Sequence, residues 1–452
     1  PDREARRAWA DTTFEIIPLS SYTLETMLAQ RVAAHPDRAL FRERVGREAR
    51  TWSYEEVARR LRLLAATFVA AAPSGPRVAI LAGNSLDGAC CDLACLTYGL
   101  LVTPLSPHLN PEALTWILRT LDINVEVTET AEQRANLDAA LEGIEHPPNL
   151  PRILLLDPEA RLRRDHESHL GQAAARLGAE EVDRLLAERA RPGLHDRATV
   201  MFTSGSTGMP KGVCFTLFNL ITKRFARAAA LPEVGEGEVL LCYLPLYHTF
   251  GRYLEMMGML FWGGTYVFAG NPSLDSLLNG LREVRPTGLI SIPHRWQQIR
   301  ERALAAMSAG DEEAGRERAF REIVGDRLRW GLSAAGRLEP AAFRFFQRHG
   351  VALNSGFGMT EATGGITMTP PGEYEDDSVG LPLPGVTAQL SKQGELQVRG
   401  PYIARYLDEP ADPEGEHWLK TGDIFHRRPS GHYQIVDRIK DIYKNSRGQT
   451  VA

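Results

Sequence analysis

Cysteine is scarce: Cys90, Cys91, Cys95, Cys214 and Cys242 are the only five in 452 residues. An odd, sparse set argues against a disulfide framework and fits a reducing, cytoplasmic setting. Three of them crowd into "ACCDLACLTYGL". Cys91 and Cys95 would share a helix face there, but no nearby His completes a metal site, so buried free thiols are expected. Long apolar runs are also missing. The best stretch, Met256 to Ala269, is short and interrupted by Gly258, Gly263 and Gly264, which argues against an integral membrane segment and leaves peripheral membrane contact open. Neither charge sign dominates: 52 Lys and Arg face 57 Asp and Glu, for a net charge of -5. That balance disfavours nucleic acid as the main partner. The opening "PDREARRAWA" has neither an initiator Met nor the apolar core of a signal peptide, and reads as the edge of a longer chain. There is no internal repeat and no low-complexity tail.

What is present is an alternation of strand-like and helix-like segments, long enough for two or three cored units. Ser21 to Ala34 reads as a capped helix. "TWSYEEVARRLRLLAATFVAAA" reads as a short strand followed by an amphipathic helix, with Ser53 as N-cap and Glu56 at the capping-box position. "RVAILAG" predicts a buried strand, "EALTWILRTL" a helix and "INVEVTE" another strand. This pattern predicts an α/β fold with mainly parallel, helix-covered sheets. Glu159 to Arg191 reads as a charged, helix-prone surface connection, and Arg300 to Ile323 as a second solvated helical region. After Gly380 the texture changes to short alternating strands with Gly turns, which predicts a small β-rich unit.

The most informative stretch is "MFTSGSTGMPKGV", Met201 to Val213. It leaves an apolar, β-prone segment, and ligands of α/β sheets bind at strand ends. Gly205, Gly208 and Gly212 allow close backbone approach. Thr203, Ser204, Ser206 and Thr207 add hydroxyls beside bare N–H groups, and Lys211 adds one cation. Together they predict a phosphate cradle, each charge-assisted hydrogen bond contributing about 1.5–3 kcal/mol. A Walker A loop is excluded, because Lys211 follows Pro210 and precedes Gly212.

This loop resembles the phosphate-binding signature of the adenylate-forming superfamily: acyl-CoA synthetases, luciferases and peptide-synthetase adenylation domains. Further matches follow in the family's order across essentially the whole chain. "YLPLYHTFGR" is similar to the aromatic-His segment at the carboxylate pocket, with Tyr247 and His248. "GLSAAGRL" resembles the segment lining the adenine site, with Ala334, Ala335 and Gly336 where the family usually has Gly-Gly-Ala. "NSGFGMTEATG" is similar to the next signature. The resemblance implies that Gly356, Phe357, Gly358 and Met359 line the nucleotide and acid sites, with Phe357 against adenine. It also implies that Thr360 meets the α-phosphate and that Glu361 holds Mg²⁺. "WLKTGD" implies Asp423 on the ribose hydroxyls, and "VDRIKDIYKNSRGQTVA" implies Arg438 at ribose or phosphate and Lys440 at the hinge.

The resemblance implies ATP-dependent activation of a carboxylic acid to acyl-AMP and pyrophosphate, with Lys211, His248, Thr360 and Glu361 as the catalytic set. Thioester formation with coenzyme A, or with the phosphopantetheine of a carrier protein, would follow. A nucleotide-binding scaffold is the non-enzymatic alternative. No Asp follows the aromatic-His segment, which disfavours an α-amino acid. "LPLYHTFGR", "DSVGLPLPGV" and "GELQVRG" look like the long-chain acyl-CoA synthetase branch, and Arg252 stands where that branch has a basic residue, so a hydrophobic acid is expected. The implied architecture is the superfamily's large domain. It comprises α/β units at 1–195 and 196–379, a distorted β-barrel unit at 380–437, and a hinge at 438–452. The small C-terminal domain of relatives, with its late Lys, is expected to lie outside this chain.

Overall fold

The computed structural model describes residues 2–45, 48–142, 152–163, 165–203, 209–307, 312–410, 416–438, 443–444 and 450–451. Two large sheets carry it. The nine-stranded sheet runs, edge to edge, through Leu381–Pro382, Gly364–Met368, Ala352–Met359, Trp330–Ser333, Gly288–Ser291, Val239–Cys242, Thr265–Phe268, Ala39–Val45 and Glu48–Ser53. Its central pairs are parallel, and antiparallel strands close both edges. The eight-stranded sheet runs through Arg405–Tyr406, Lys211–Thr216, Arg197–Thr203, Leu101–Leu105, Arg77–Leu81, Val125–Thr128, Arg152–Leu155 and Glu167–His169. It is parallel from Arg197–Thr203 onward. Uniformly buried strands such as Val239–Cys242 and Val125–Thr128 are what parallel sheets covered by helices require.

Local signals set many element ends. Ser53 Oγ accepts from Glu56 N–H at 3.1 Å and Glu56 Oε2 accepts from Ser53 N–H at 2.7 Å, the reciprocal box that starts helix Tyr54–Ala71. The first predicted helix starts at the Thr23 cap, as Leu24–Ala34. Helix Leu86–Tyr98 buries Cys90, Cys91 and Cys95. Burial pushes the Cys90 thiol up to about 12 and the other two well up, so all three are inert.

Three expectations need correction. The boundary at 195/196 does not divide the sheets, since Ala39–Val45 and Glu48–Ser53 join the later strands while Arg197–Thr203 and Lys211–Thr216 join the earlier ones. The β-rich unit is an open four-stranded antiparallel sheet, Thr387–Leu390, Glu395–Arg399, Leu419–Arg427 and Tyr433–Arg438, with no closed barrel among the described residues. The stretch read as a surface connection contains a short edge strand, Glu167–His169, whose Glu167 is buried against Arg134. Three residues of strand inside a charged, Ala-rich segment leave too little alternation to be legible.

Candidate active site

Two paired strands carry the ends of the phosphate-loop signature. Arg197–Thr203 and Lys211–Thr216 pair antiparallel, with Thr203 opposite Lys211. Ser204, Gly205, Ser206, Thr207 and Gly208 lie outside the described residues, as does Lys440. Lys211 is exposed, and its ammonium stands 5.4 Å from the ring centroid of Tyr406. Tyr406 OH donates to Glu361 Oε1 at 2.5 Å, and Ala404 N–H donates to the Glu361 carbonyl at 2.6 Å. One tyrosine thus joins the hairpin cation to the buried carboxylate.

Glu361 lies on a single turn, Thr360–Ala362, between the antiparallel strands Ala352–Met359 and Gly364–Met368. The reversal is tight: a Cβ at Gly358 would lie 1.7 Å from the Gly364 carbonyl oxygen. Upstream in the same strand, half-buried Phe357 meets Phe425 edge-on at 4.9 Å. Phe425 belongs to strand Leu419–Arg427, which also carries Asp423. Asp423 is buried and pairs across the sheet with exposed Arg438, Nε to Oδ1 at 3.0 Å. Ser333 registers with Ser355, so Ala334, Ala335 and Gly336 leave their strand beside Gly356 and Phe357. Ala335 is exposed at φ +67°, a left-handed conformation that ordinarily takes glycine.

The aromatic-His segment follows strand Val239–Cys242. Tyr247 and His248 rings lie 4.7 Å apart, with His248 exposed at its edge and partial burial lowering its imidazole pKa. Asn84 pins this segment, donating to the Leu244 carbonyl at 2.6 Å and accepting from Leu246 N–H at 2.9 Å. Thr249 packs 3.7 Å from where a Gly364 Cβ would be, linking the segment to the Glu361 turn. The Ala334–Gly336 segment and the aromatic-His segment both leave the carboxyl ends of parallel strands, Trp330–Ser333 and Val239–Cys242, the edge where α/β folds bind ligands.

Arg252 is a correction. It is fully buried and forked onto Asp92, with Nη2–Oδ1 at 2.6 Å and Nε–Oδ2 at 2.8 Å. It also donates to Thr199 Oγ1 and Tyr253 OH. It is a core ion pair, not a pocket residue. The apolar stretch Met256–Trp262 is likewise buried core. Gly251 follows from packing, because a Cβ there would lie 2.4 Å from the Leu244 carbonyl oxygen. Tyr406 and Asn84 were missed, since each makes its contacts from outside the recognisable motifs. A separate cleft of about 610 Å³, lined by residues including Arg197, Cys214, Arg399 and Glu416, shares Tyr406 with this site but none of Phe357, Asp423 or His248.

The α/β scaffold has a family to match. A family profile described as AMP-binding enzyme matches residues 28–407, and the chain belongs to that family. It is 28% identical to long-chain-fatty-acid–CoA ligase 6 of Homo sapiens, over 88% of this chain and 64% of that protein. It is 27% identical to long-chain-fatty-acid–CoA ligase FadD15 of Mycobacterium bovis, over 84% of this chain and 68% of that protein. The chain therefore spans less than two thirds of the human relative's length. Among solved structures, MatB from Rhodopseudomonas palustris superposes with a TM-score of 0.75 at 22% identity, over 95% of this chain and 81% of that one. A benzoate CoA ligase from Burkholderia xenovorans gives a TM-score of 0.72 at 20% identity, over 94% and 81% respectively.

Proposed function

We propose that this chain is the ATP- and acid-binding part of an AMP-forming acid–thiol ligase. The observation that carries the reading is one series of contacts joining the three sheets. It runs Lys211–Tyr406–Glu361, and from the Glu361 turn back along the preceding strand to Phe357, then to Phe425 and its strand's Asp423–Arg438 pair. A nucleoside triphosphate suits it end to end. Phe357 offers adenine an aromatic face, a contribution of roughly 1–3 kcal/mol for base stacking. Asp423, already held by Arg438, accepts from the ribose hydroxyls. Thr360 orients the α-phosphate, and Lys211 with the Ser, Thr and Gly residues that precede it in the signature holds the polyphosphate.

Glu361 is suited to Mg²⁺. Its carboxylate is buried, with one oxygen fixed by Tyr406, and no cluster of three or more His, Cys, Asp or Glu able to hold a metal exists among the described residues. A lone carboxylate fits a hard cation whose remaining ligands are phosphate oxygens and water. When bound, such an ion neutralises the charge that separates two anions. The substrate carboxylate then attacks the α-phosphate, acyl-AMP forms and pyrophosphate leaves. The enzyme's part is positioning and charge, with no side-chain nucleophile. A thiol, coenzyme A in this reading, takes the acyl group from AMP.

The acid is hydrophobic in this reading. Support comes from the long-chain ligase names of the relatives. Burial pushes the Glu255 carboxyl well up, which disfavours it as a counter-charge for a substrate ammonium. The test is acid-dependent pyrophosphate release by the full-length protein with ATP, Mg²⁺ and a panel of acids, followed by transfer to coenzyme A or a carrier protein. Glu361→Gln is expected to slow adenylation by at least about a hundredfold, the scale for losing one preorganised electrostatic group. ATP binding without acid turnover in the wild type would leave only the scaffold alternative.

A further inference from the structure

Helix Leu217–Ala230 leaves the hairpin strand Lys211–Thr216 and carries a lysine in its buried face. Lys223 has no solvent exposure. Only six of the chain's 52 Lys and Arg residues are lysines, so the chain uses arginine almost everywhere it needs a cation. Among the described residues no carboxylate lies within ion-pair distance of Lys223. Its ammonium instead donates to two backbone carbonyls, Ala362 at 3.1 Å and Gly365, and stands 3.9 Å from the ring centroid of Tyr402. Burial, with Arg227 and Arg224 close by, lowers its pKa well below the usual lysine value. Taking an ammonium out of water costs several kcal/mol, and an arrangement of this kind persists only where the replaced hydration is recovered. Two carbonyls converging on one point suit a compact ammonium better than a guanidinium fork.

Those carbonyls bracket an unusual turn. Thr363 has φ +53° and Gly364 φ +94°, so the backbone is left-handed at two successive residues immediately after the single turn Thr360–Ala362. The outer side of the turn is pinned by Thr363 Oγ1 donating to the Tyr402 carbonyl at 2.7 Å and by Ala404 N–H on the Glu361 carbonyl. On the inner side Lys223 holds the two carbonyls, while the neighbouring Arg227 guanidinium packs against Gly365. We infer that Lys223 is a positioning residue for the turn that presents Thr360 and Glu361, clamping it through the Ala362 and Gly365 carbonyls without touching substrate. This rests on the functional reading above.

The test compares wild-type full-length protein with Lys223→Met and Lys223→Gln. Mn²⁺ replaces Mg²⁺, so that ion binding with ATP is read by electron paramagnetic resonance as well as by turnover. For Lys223→Met the Mn²⁺ half-saturation is expected to rise about tenfold, the lower end for losing a group that orients a metal ligand. ATP affinity without divalent ion should stay at the wild-type value, and Lys223→Gln, which keeps a donor, should fall between. A purely structural role would lower the melting temperature and leave the ion half-saturation where it was; that result overturns the inference. If Lys223→Met does not fold, Lys223→Gln and Thr363→Val, which removes the opposite pin, are read the same way, and unmoved half-saturation in both overturns it. A wild type that binds Mn²⁺ and ATP yet releases no pyrophosphate with any acid refutes the functional reading instead, and the Mn²⁺ comparison still decides the role of Lys223.

Discussion

Ala335 pays a conformational penalty for its place at the adenine-side strand end. Its φ of +67° brings Cβ close to its own carbonyl, and its side chain is exposed, so no packing offsets the strain. Ala335→Gly is expected to raise stability by about 0.5–1 kcal/mol, the strain relieved less the extra backbone entropy of glycine in the unfolded chain. A lower melting temperature in the variant would show that Ala335 makes a contact the geometry does not reveal. Asp423 gives a second residue-scale expectation. If its carboxylate receives the ribose hydroxyls, Asp423→Ala should raise the ATP requirement and erase discrimination against 2′-deoxy-ATP, since a site built for a hydroxyl rejects its absence. A wild type that uses both nucleotides equally removes Asp423 from that role. At this scale the sequence was most legible where a residue sits inside a dense local pattern. Ser53 with Glu56, whose reciprocal capping box forms as read, is the example. Tyr406 was opaque because its partners, Lys211 and Glu361, stand 195 and 45 positions away, and nothing local marks a tyrosine as their bridge.

At the scale of elements, Arg252 was placed by resemblance alone, and local geometry puts it elsewhere. Four residues beyond His248, an ordinary α-helix would bring it to that residue's face. The segment starts that way, with Arg252 N–H on the His248 carbonyl at 3.0 Å, but Phe250–Met256 then widens into π-helical turns, closing with Met257 N–H on the Arg252 carbonyl. Wider winding changes which faces the side chains share, and Arg252 ends in the core against Asp92. Hydrophobic periodicity cannot announce such a segment, because nearly every residue in it is buried. Arg252→Met should therefore cost about 3–5 kcal/mol, the scale for leaving a buried partner charge uncompensated. Asp92→Leu in the same chain should recover part of it. Acid preference among folded molecules should not change. A variant of normal stability with an altered acid KM would return Arg252 to the pocket.

For the whole molecule, the order of strands in space differs from their order in the chain. The helix and strand alternation made the α/β class legible, because each element writes its own period. Which strand neighbours which is set by packing across long sequence separations, and that is where the 195/196 boundary failed. Ala39–Val45 takes Thr265–Phe268 as its parallel neighbour, and Leu101–Leu105 takes Arg197–Thr203. The largest apolar core is contiguous from Ala10 to Tyr433 and draws on both halves. A fragment of residues 1–195 would expose the edge of Leu101–Leu105 and leave Ala39–Val45 paired only with Glu48–Ser53. Bare, apolar edges of this kind associate instead of standing alone. Residues 196–452 would lack the two strands that complete one sheet, and most of the other. Neither fragment is therefore expected to show a cooperative thermal transition by near-ultraviolet circular dichroism, whereas the two refolded together should regain one. A cooperative transition in residues 1–195 alone would mean that its parallel strands hold a core without Arg197–Thr203, and that the interleaving of the two sheets is not what makes the molecule a single unit.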